Sequence, residues 1–272
     1  MRKLVWKLTF FILLIALSIS LVACTNTSAE ENNGTKPPAN GSESNEPGVE
    51  IEKPTPPVAQ TEKFYVNVNN YSIKPVNPEN TTKPVLITFD DTPKGAQTYK
   101  ILDTLDKYNA KAIFFVTGYY ADSNRELIKE IYDRGHIVGN HTWGHQNLNE
   151  VTTREATESQ INRLNDLIEE ITGDKVKYLR PPYGAHAKNP YLNDILIEQN
   201  IQKMNWSFGY DWQIVNPERA TELIDKTTES VFSGANILMH DIEITEIALD
   251  QMLANMQEKG YTFVLPTEIV FE

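Results

Sequence analysis

From residue 83 onward, short apolar runs alternate with longer stretches in which apolar side chains recur every three or four positions. The runs predict seven strands, at 85–89, 112–116, 136–139, 176–179, 201–206, 236–239 and 262–265. Between them the helical period is carried by Ile101, Leu102, Leu105 and Tyr108, by Leu127, Ile128 and Ile131, and by Ile161, Leu164, Leu167, Ile168 and Ile171. The last of these stretches stops at Gly173, where a glycine can close a helix without steric cost. Leu223 with Ile224, and Met252 with Leu253 and Met256, mark two more. Strand and helix in regular succession mean βα units, so the fold class is α/β. Seven such units predict a distorted (β/α)7-8 barrel, smaller than the usual eightfold one. Ahead of it Phe64, Val66 and Val68 alternate with polar neighbours, which predicts a short strand or hairpin in a β-rich lead-in over 63–82, before the main domain over 83–272.

The N-terminal pattern is different. Arg2, Lys3 and Lys7 precede an apolar run over 8–23 that is broken only by Thr9, Ser18 and Ser20, the layout of a signal peptide over 1–23. An uncleaved transmembrane anchor is the alternative, but the run is short of the ~20 residues a span needs. Cys24 ends the stretch "LVAC", which resembles the bacterial lipobox, and it is the only cysteine in the chain. A disulfide within the chain is therefore excluded, and the one thiol stands where a lipid would be attached. Residues 25–60 are rich in Asn, Glu, Pro, Gly and Ser and cannot form a core, so 24–62 is expected to be a lipidated cysteine followed by a flexible tether. The expected place is the outer face of a bacterial membrane, held by a lipid anchor. With 40% hydrophobic and 23% charged residues the chain as a whole has an ordinary globular composition, and a net charge of −12 argues against nucleic acid as a partner.

In a βα barrel, chemistry gathers at the C-terminal ends of the strands. The unusual polar residues fall there: Asp90 and Asp91 after the first strand, "NHTWGH" after the third, "RPPYG" after the fourth, "GYDW" after the fifth and "HD" after the sixth. Along an extended strand Asp90 and Asp91 would point to opposite sides, so they need separate jobs. One of them, ahead of Thr92 and Pro93, can cap a helix. His141 and His145 stand four apart, which brings two imidazoles together on a helix face or in a tight loop. A carboxylate from either acid would complete a three-ligand metal site, and the other acid would be placed as a general base. Arg180 leaves an apolar strand into two prolines, near a carboxylate. His240 follows "ILM" among acids and reads as a proton donor. His136 and His186 read as exposed or packing residues.

These residues together resemble the polysaccharide deacetylase family, also called the NodB homology domain or carbohydrate esterase family 4. Five motifs match in order over about 83–266: "TFDD" from Thr88, "HTWGH" from His141, "RPPY" from Arg180, "DW" from Asp211 and "LMH" from Leu238. The resemblance implies that Asp90 is the catalytic base, oriented by Arg180, and that Asp91, His141 and His145 bind a divalent metal, zinc in the first place, with Co2+, Ni2+ or Fe2+ as alternatives. It implies an oxyanion donor at the Tyr183 N–H, an acetyl pocket at Trp212 and Leu238, and a general acid at His240 supported by Asp211. The implied activity is metal-dependent removal of N-acetyl groups from a cell-envelope polysaccharide. The membrane tether makes peptidoglycan the expected substrate and partner. Two positions depart from the family. Thr92 stands where glycine is usual and could narrow the cleft beside the metal, and Phe208 stands where an acid commonly opens the fourth motif. A wall-binding lipoprotein that keeps the fold without turnover is the alternative from another class. An iron oxygenase is a further one, because two histidines and a carboxylate also describe its site.

Overall fold

The computed structural model describes residues 63–271; the expected signal peptide, Cys24 and the tether lie outside the described residues. The lead-in forms an antiparallel hairpin of β1 (Phe64–Val66) and β2 (Ile73–Pro75). The main sheet follows, built from β3 (Lys83–Thr92), β4 (Ala112–Val116), β5 (Ile137–Asn140), β6 (Tyr178–Leu179), β7 (Gln202–Lys203), β8 (Ala235–His240) and β9 (Tyr261–Phe263). All seven predicted strands are present and every pairing among them is parallel, in the order β7-β6-β5-β4-β3-β8, with β9 also on β3. The helices between them are α1 (Ala96–Lys107), α2 (Gly118–Ser123), α3 (Arg125–Asp133), α4 (Arg154–Thr172), α5 (Leu192–Glu198), α6 (Ala220–Ser230) and α7 (Glu243–Glu258). Gly173 caps α4 in the left-handed conformation, as the pattern predicts.

Strand alternation sorts the side chains into two cores. Val85, Ile87, Phe89, Phe114 and Val116 pack with the helices, while Leu86, Ile113, Phe115, Tyr178 and Met204 pack in a second cluster with Phe64, Val66 and Ile73 of the hairpin. That second cluster is the barrel interior, and the hairpin fills it from the side where β3 begins. The Ile73 N–H donates to the Gly234 carbonyl at 2.7 Å, and Phe64 bridges to Ile269. Gly234 has no alternative there: a Cβ would lie 2.5 Å from the Ile73 carbonyl oxygen, and its φ is +94°.

Two strands keep only two residues of their apolar runs. β6 ends at Leu179 because Pro181 and Pro182 bring no N–H to a ladder. The run at 201–206 keeps only two strand residues because it changes partner: Met204 N–H donates to Leu179 O, but Ser207 N–H donates to Asn236 O and Leu238 N–H to Phe208 O. That change closes the ring between β6 and β8. It also explains Phe208, which bridges Ile237 and packs against Tyr210 and Phe232.

A candidate metal centre with a second proton-transfer group

β3 brings the two acids to the end of the barrel. Asp90 is still in register, opposite Phe115 and His240, but the pairing shifts before Thr92, so Asp91 is an extra residue in a bulge with φ at 59°. The bulge cancels the alternation that would send the two carboxylates to opposite sides, and both reach one cavity. Neither caps a helix: α1 begins only at Ala96, with Gly95 as its N-cap. The capping alternative is thereby corrected.

Asp90 is buried and takes a 2.7 Å hydrogen bond from Arg180. The guanidinium is itself fully buried and held on every side, donating to Thr88 Oγ1 at 2.8 Å, to Met204 O at 3.0 Å and to Asn205 O at 3.1 Å. It also lies 4.2 Å from the centre of the Phe115 ring. Burial lowers the pKa of Arg180 and the Asp90 charge opposes that shift. Breaking so buried a pair by removing one partner typically costs about 3–5 kcal/mol.

Asp91 lies on the other side, with Oδ1 at 3.2 Å from His145 Nε2 and 3.7 Å from His141 Nε2. The two histidines come from a loop after β5 and not from a helix; Thr142 and His145 have φ of 68° and 51°. The His141 Nδ1–H donates to the Arg180 carbonyl at 2.8 Å, which fixes the tautomer and leaves Nε2 as a lone-pair donor. Burial lowers the pKa of His141 and keeps it neutral, as a metal ligand must be. One donor atom from each of Asp91, His141 and His145 lies within 4.8 Å of the others, so this donor set fits a divalent cation with open positions left over.

Opposite these ligands stands His240, at the end of β8. Its backbone N–H donates to Asp211 Oδ2 at 2.5 Å and its Nδ1–H to Asp211 Oδ1 at 3.0 Å, which aims Nε2 away from the carboxylate. Thr245 holds the same carboxylate at 2.9 Å. Burial would lower the His240 pKa, but the hydrogen bond and charge of Asp211 outweigh it, and the pKa is raised.

A cavity of about 400 Å³ joins the two halves; Tyr183, Trp212 and Leu238 line it beside the acids and histidines. Tyr183 lies edge-on to His145 with ring centres 4.7 Å apart, at a φ of 60°. Trp212 reaches His240 because the turn before it packs hard on β8: a Cβ at Gly209 would lie 2.3 Å from the Leu238 carbonyl oxygen. Asp91, Thr142, His145 and Tyr183 are four of the seven described non-glycine residues with positive φ, a strained conformation concentrated on these loops.

Every predicted site residue among the described ones is therefore gathered at one end of the barrel, Arg180 and Asp211 as buried supports behind Asp90 and His240. Trp206 was missed. It lines the cavity, edge-on to Trp212 at 6.1 Å, and its signal was an aromatic at the end of a predicted strand. Thr92 is corrected: its side chain is fully buried, outside the cavity lining, because the bulge turns it back into the sheet. Of the two histidines outside the site, His136 is buried, accepting the Ala112 N–H at 3.1 Å, and burial pushes its pKa down to about 3. His186 is half-buried against the Gly184 carbonyl.

Comparison with known proteins gives the same direction. The sequence profile described as Polysaccharide deacetylase matches residues 77–202. The peptidoglycan-N-acetylmuramic acid deacetylase PdaA of Bacillus subtilis (strain 168) is 31% identical over 62% of this chain and 64% of its own length. The chain spans about half to two thirds of the length of curated relatives such as this one. Among solved structures, the Bc1960 peptidoglycan N-acetylglucosamine deacetylase is 32% identical, with a TM-score of 0.64 over 70% of this chain and 89% of that one. BA3943, a CE4 family pseudoenzyme from Bacillus anthracis, is 28% identical, with a TM-score of 0.62 over 67% of this chain and 63% of that one. On this fold, these motifs and these likenesses the chain belongs to the polysaccharide deacetylase family.

Proposed function

We propose that the protein removes N-acetyl groups from a cell-envelope polysaccharide, with peptidoglycan N-acetylglucosamine residues as the first candidate. The observation that carries this is the division of labour around one cavity: an acid clamped by a guanidinium, a second acid beside two imidazoles, and a third imidazole backed by its own carboxylate. Asp91, His141 and His145 would hold the metal, which we take to be Zn2+. When bound, such an ion polarises a carbonyl and acidifies a water. Asp90 takes the proton from the attacking water, and the Arg180 hydrogen bond keeps that carboxylate pointed at it. The Tyr183 N–H is assigned to the developing oxyanion. His240, protonated and held by Asp211, delivers a proton to the departing sugar amine, so that acetate and a glucosamine unit leave. Trp206, Trp212 and Leu238 give the acetyl methyl an apolar place to sit.

A polymer is favoured over a single sugar by the rim of the site. Tyr99, Tyr119 and Tyr120 are exposed on α1 and α2, at the same end of the barrel, and Tyr119 lies edge-on to Trp143 of the histidine loop at 6.1 Å. Flat amphipathic rings suit the apolar faces of successive sugars. The test is acetate or free-amine release from an N-acetylglucosamine oligomer and from wall glycan, with and without chelator. Release that chelator abolishes and zinc restores is expected. The likeness to a pseudoenzyme favours a second reading, a wall-binding protein without turnover, and tight wall binding with no release under any added divalent metal would establish it in place of the first.

A further inference from the structure

One buried acid remains outside this division of labour. Asp241 follows His240 directly, is fully buried, and is not among the residues lining the cavity. Both side-chain hydrogen bonds to its Oδ2 come from the connection after β3: the Lys94 N–H donates at 2.7 Å, and the Thr98 hydroxyl donates as well. Its Oδ1 is buried with no hydrogen-bond partner. A cap for α7 would bond the first turn of α7; this carboxylate instead reaches across to the first turn of α1 and to the turn leading into it. Lys94 is three residues beyond Asp91, whose backbone is held in the left-handed region, a conformation that persists only where the surroundings over-determine it. Upstream, the β3 ladder fixes Asp90 against His240. Downstream, the anchors are the Thr117 N–H on the Thr92 carbonyl, at 3.3 Å, and Asp241 on Lys94.

Building on the metal site proposed above, we propose that Asp241 is a positioning residue that clamps the turn carrying Asp91 to the strand end carrying His240. It fixes the carboxylate ligand relative to the imidazole that delivers the proton. Keeping a half-paired carboxylate in the interior is costly, and burial pushes its pKa up to about 6. A residue that served packing alone would be apolar here.

The test compares Asp241→Ala and Asp241→Asn in the full chain with Leu253→Ala, a cavity variant in the helix core that lowers stability away from the site. Four quantities are read: amide hydrogen exchange over 92–99 in metal-free protein, zinc affinity, and kcat and KM on an N-acetylglucosamine oligomer. For Asp241→Ala we expect faster exchange at 92–99, and zinc affinity and kcat each reduced about 10- to 100-fold, with KM nearly constant. Asp241→Asn, which keeps an oxygen for the Lys94 N–H, should recover most of each loss. Leu253→Ala should lower the melting temperature without changing zinc affinity or local exchange. Unchanged exchange at 92–99 in Asp241→Ala overturns the clamp, as does an equal loss of zinc affinity in Leu253→Ala. Should wild-type protein bind no zinc and release no acetate, the proposed function fails on its own, while the exchange data still decide the clamp.

Discussion

Asp90 and Asp91 are chemically identical neighbours, and in the proposed mechanism their different surroundings separate a base from a ligand. Asp91→Asn should lose zinc affinity and acetate release together, since it removes an anionic donor from the histidine pair. Asp90→Asn should keep the metal and lose roughly 10² to 10⁴ in rate, the contribution typical of a general base. Bound metal and turnover measured on both variants separate the roles; metal lost from Asp90→Asn and retained by Asp91→Asn would reverse them. The residue types were legible in the sequence and the family resemblance implied the assignment, but the geometry was not legible, because strand alternation would send the two acids to opposite sides and the bulge at Asp91 cancels it. Thr92 was misplaced for the same reason. The histidine on the far side gives a pH test. Its pKa is raised, with burial opposing and Asp211 prevailing, so the imidazole holds its proton to a higher pH than an ordinary histidine. A proton donor is active while protonated, so Asp211→Asn should move the alkaline limb of the kcat profile to lower pH. A limb that stays in place would show that some other group donates.

The elements were the most legible level. Seven apolar runs became seven strands, and the Gly173 stop of α4 fell where the helical period ends. What the pattern missed are places where tertiary partners override it: α2 and α5 are too short to show a period, and the run at 201–206 looks like one strand but pairs with β6 only as far as Met204, the chain passing to β8 at Ser207 and Phe208. The hairpin was expected only as a lead-in, yet it fills the barrel interior beneath Arg180, with Ile73 fully buried. Its docking point can be tested at Gly234. A methyl group there would meet the Ile73 carbonyl oxygen at 2.5 Å, on a backbone with φ of +94°. Gly234→Ala should therefore destabilise the fold by about 1–3 kcal/mol, the cost of a strained backbone position, and loosen the hairpin first. Denaturant unfolding together with hydrogen exchange over 63–76 measures both, and a midpoint equal to wild type would mean that the hairpin contributes nothing to closing the barrel.

At the scale of the whole chain the question is where the domain works. The placement rests on sequence alone: a basic start, an apolar run over 8–23, a single cysteine after "LVA", and a polar, proline-rich stretch up to residue 60. Among the described residues no helix is long and apolar enough to cross a membrane. We propose a lipid on Cys24. Two acyl chains hold a protein stably on a bilayer, whereas one holds it marginally, so the number added decides how firm the tether is. Cys24→Ser removes the acylated atom and touches nothing in the barrel. Expressed in a bacterium that processes lipoproteins, it should leave the membrane pellet and appear in the soluble or secreted fraction with acetate release per molecule unchanged. If the variant stays in the pellet through a high-salt wash, the apolar run is an uncleaved anchor instead. Loss of activity in released but folded protein would mean that the membrane supplies the substrate's geometry and not merely its address.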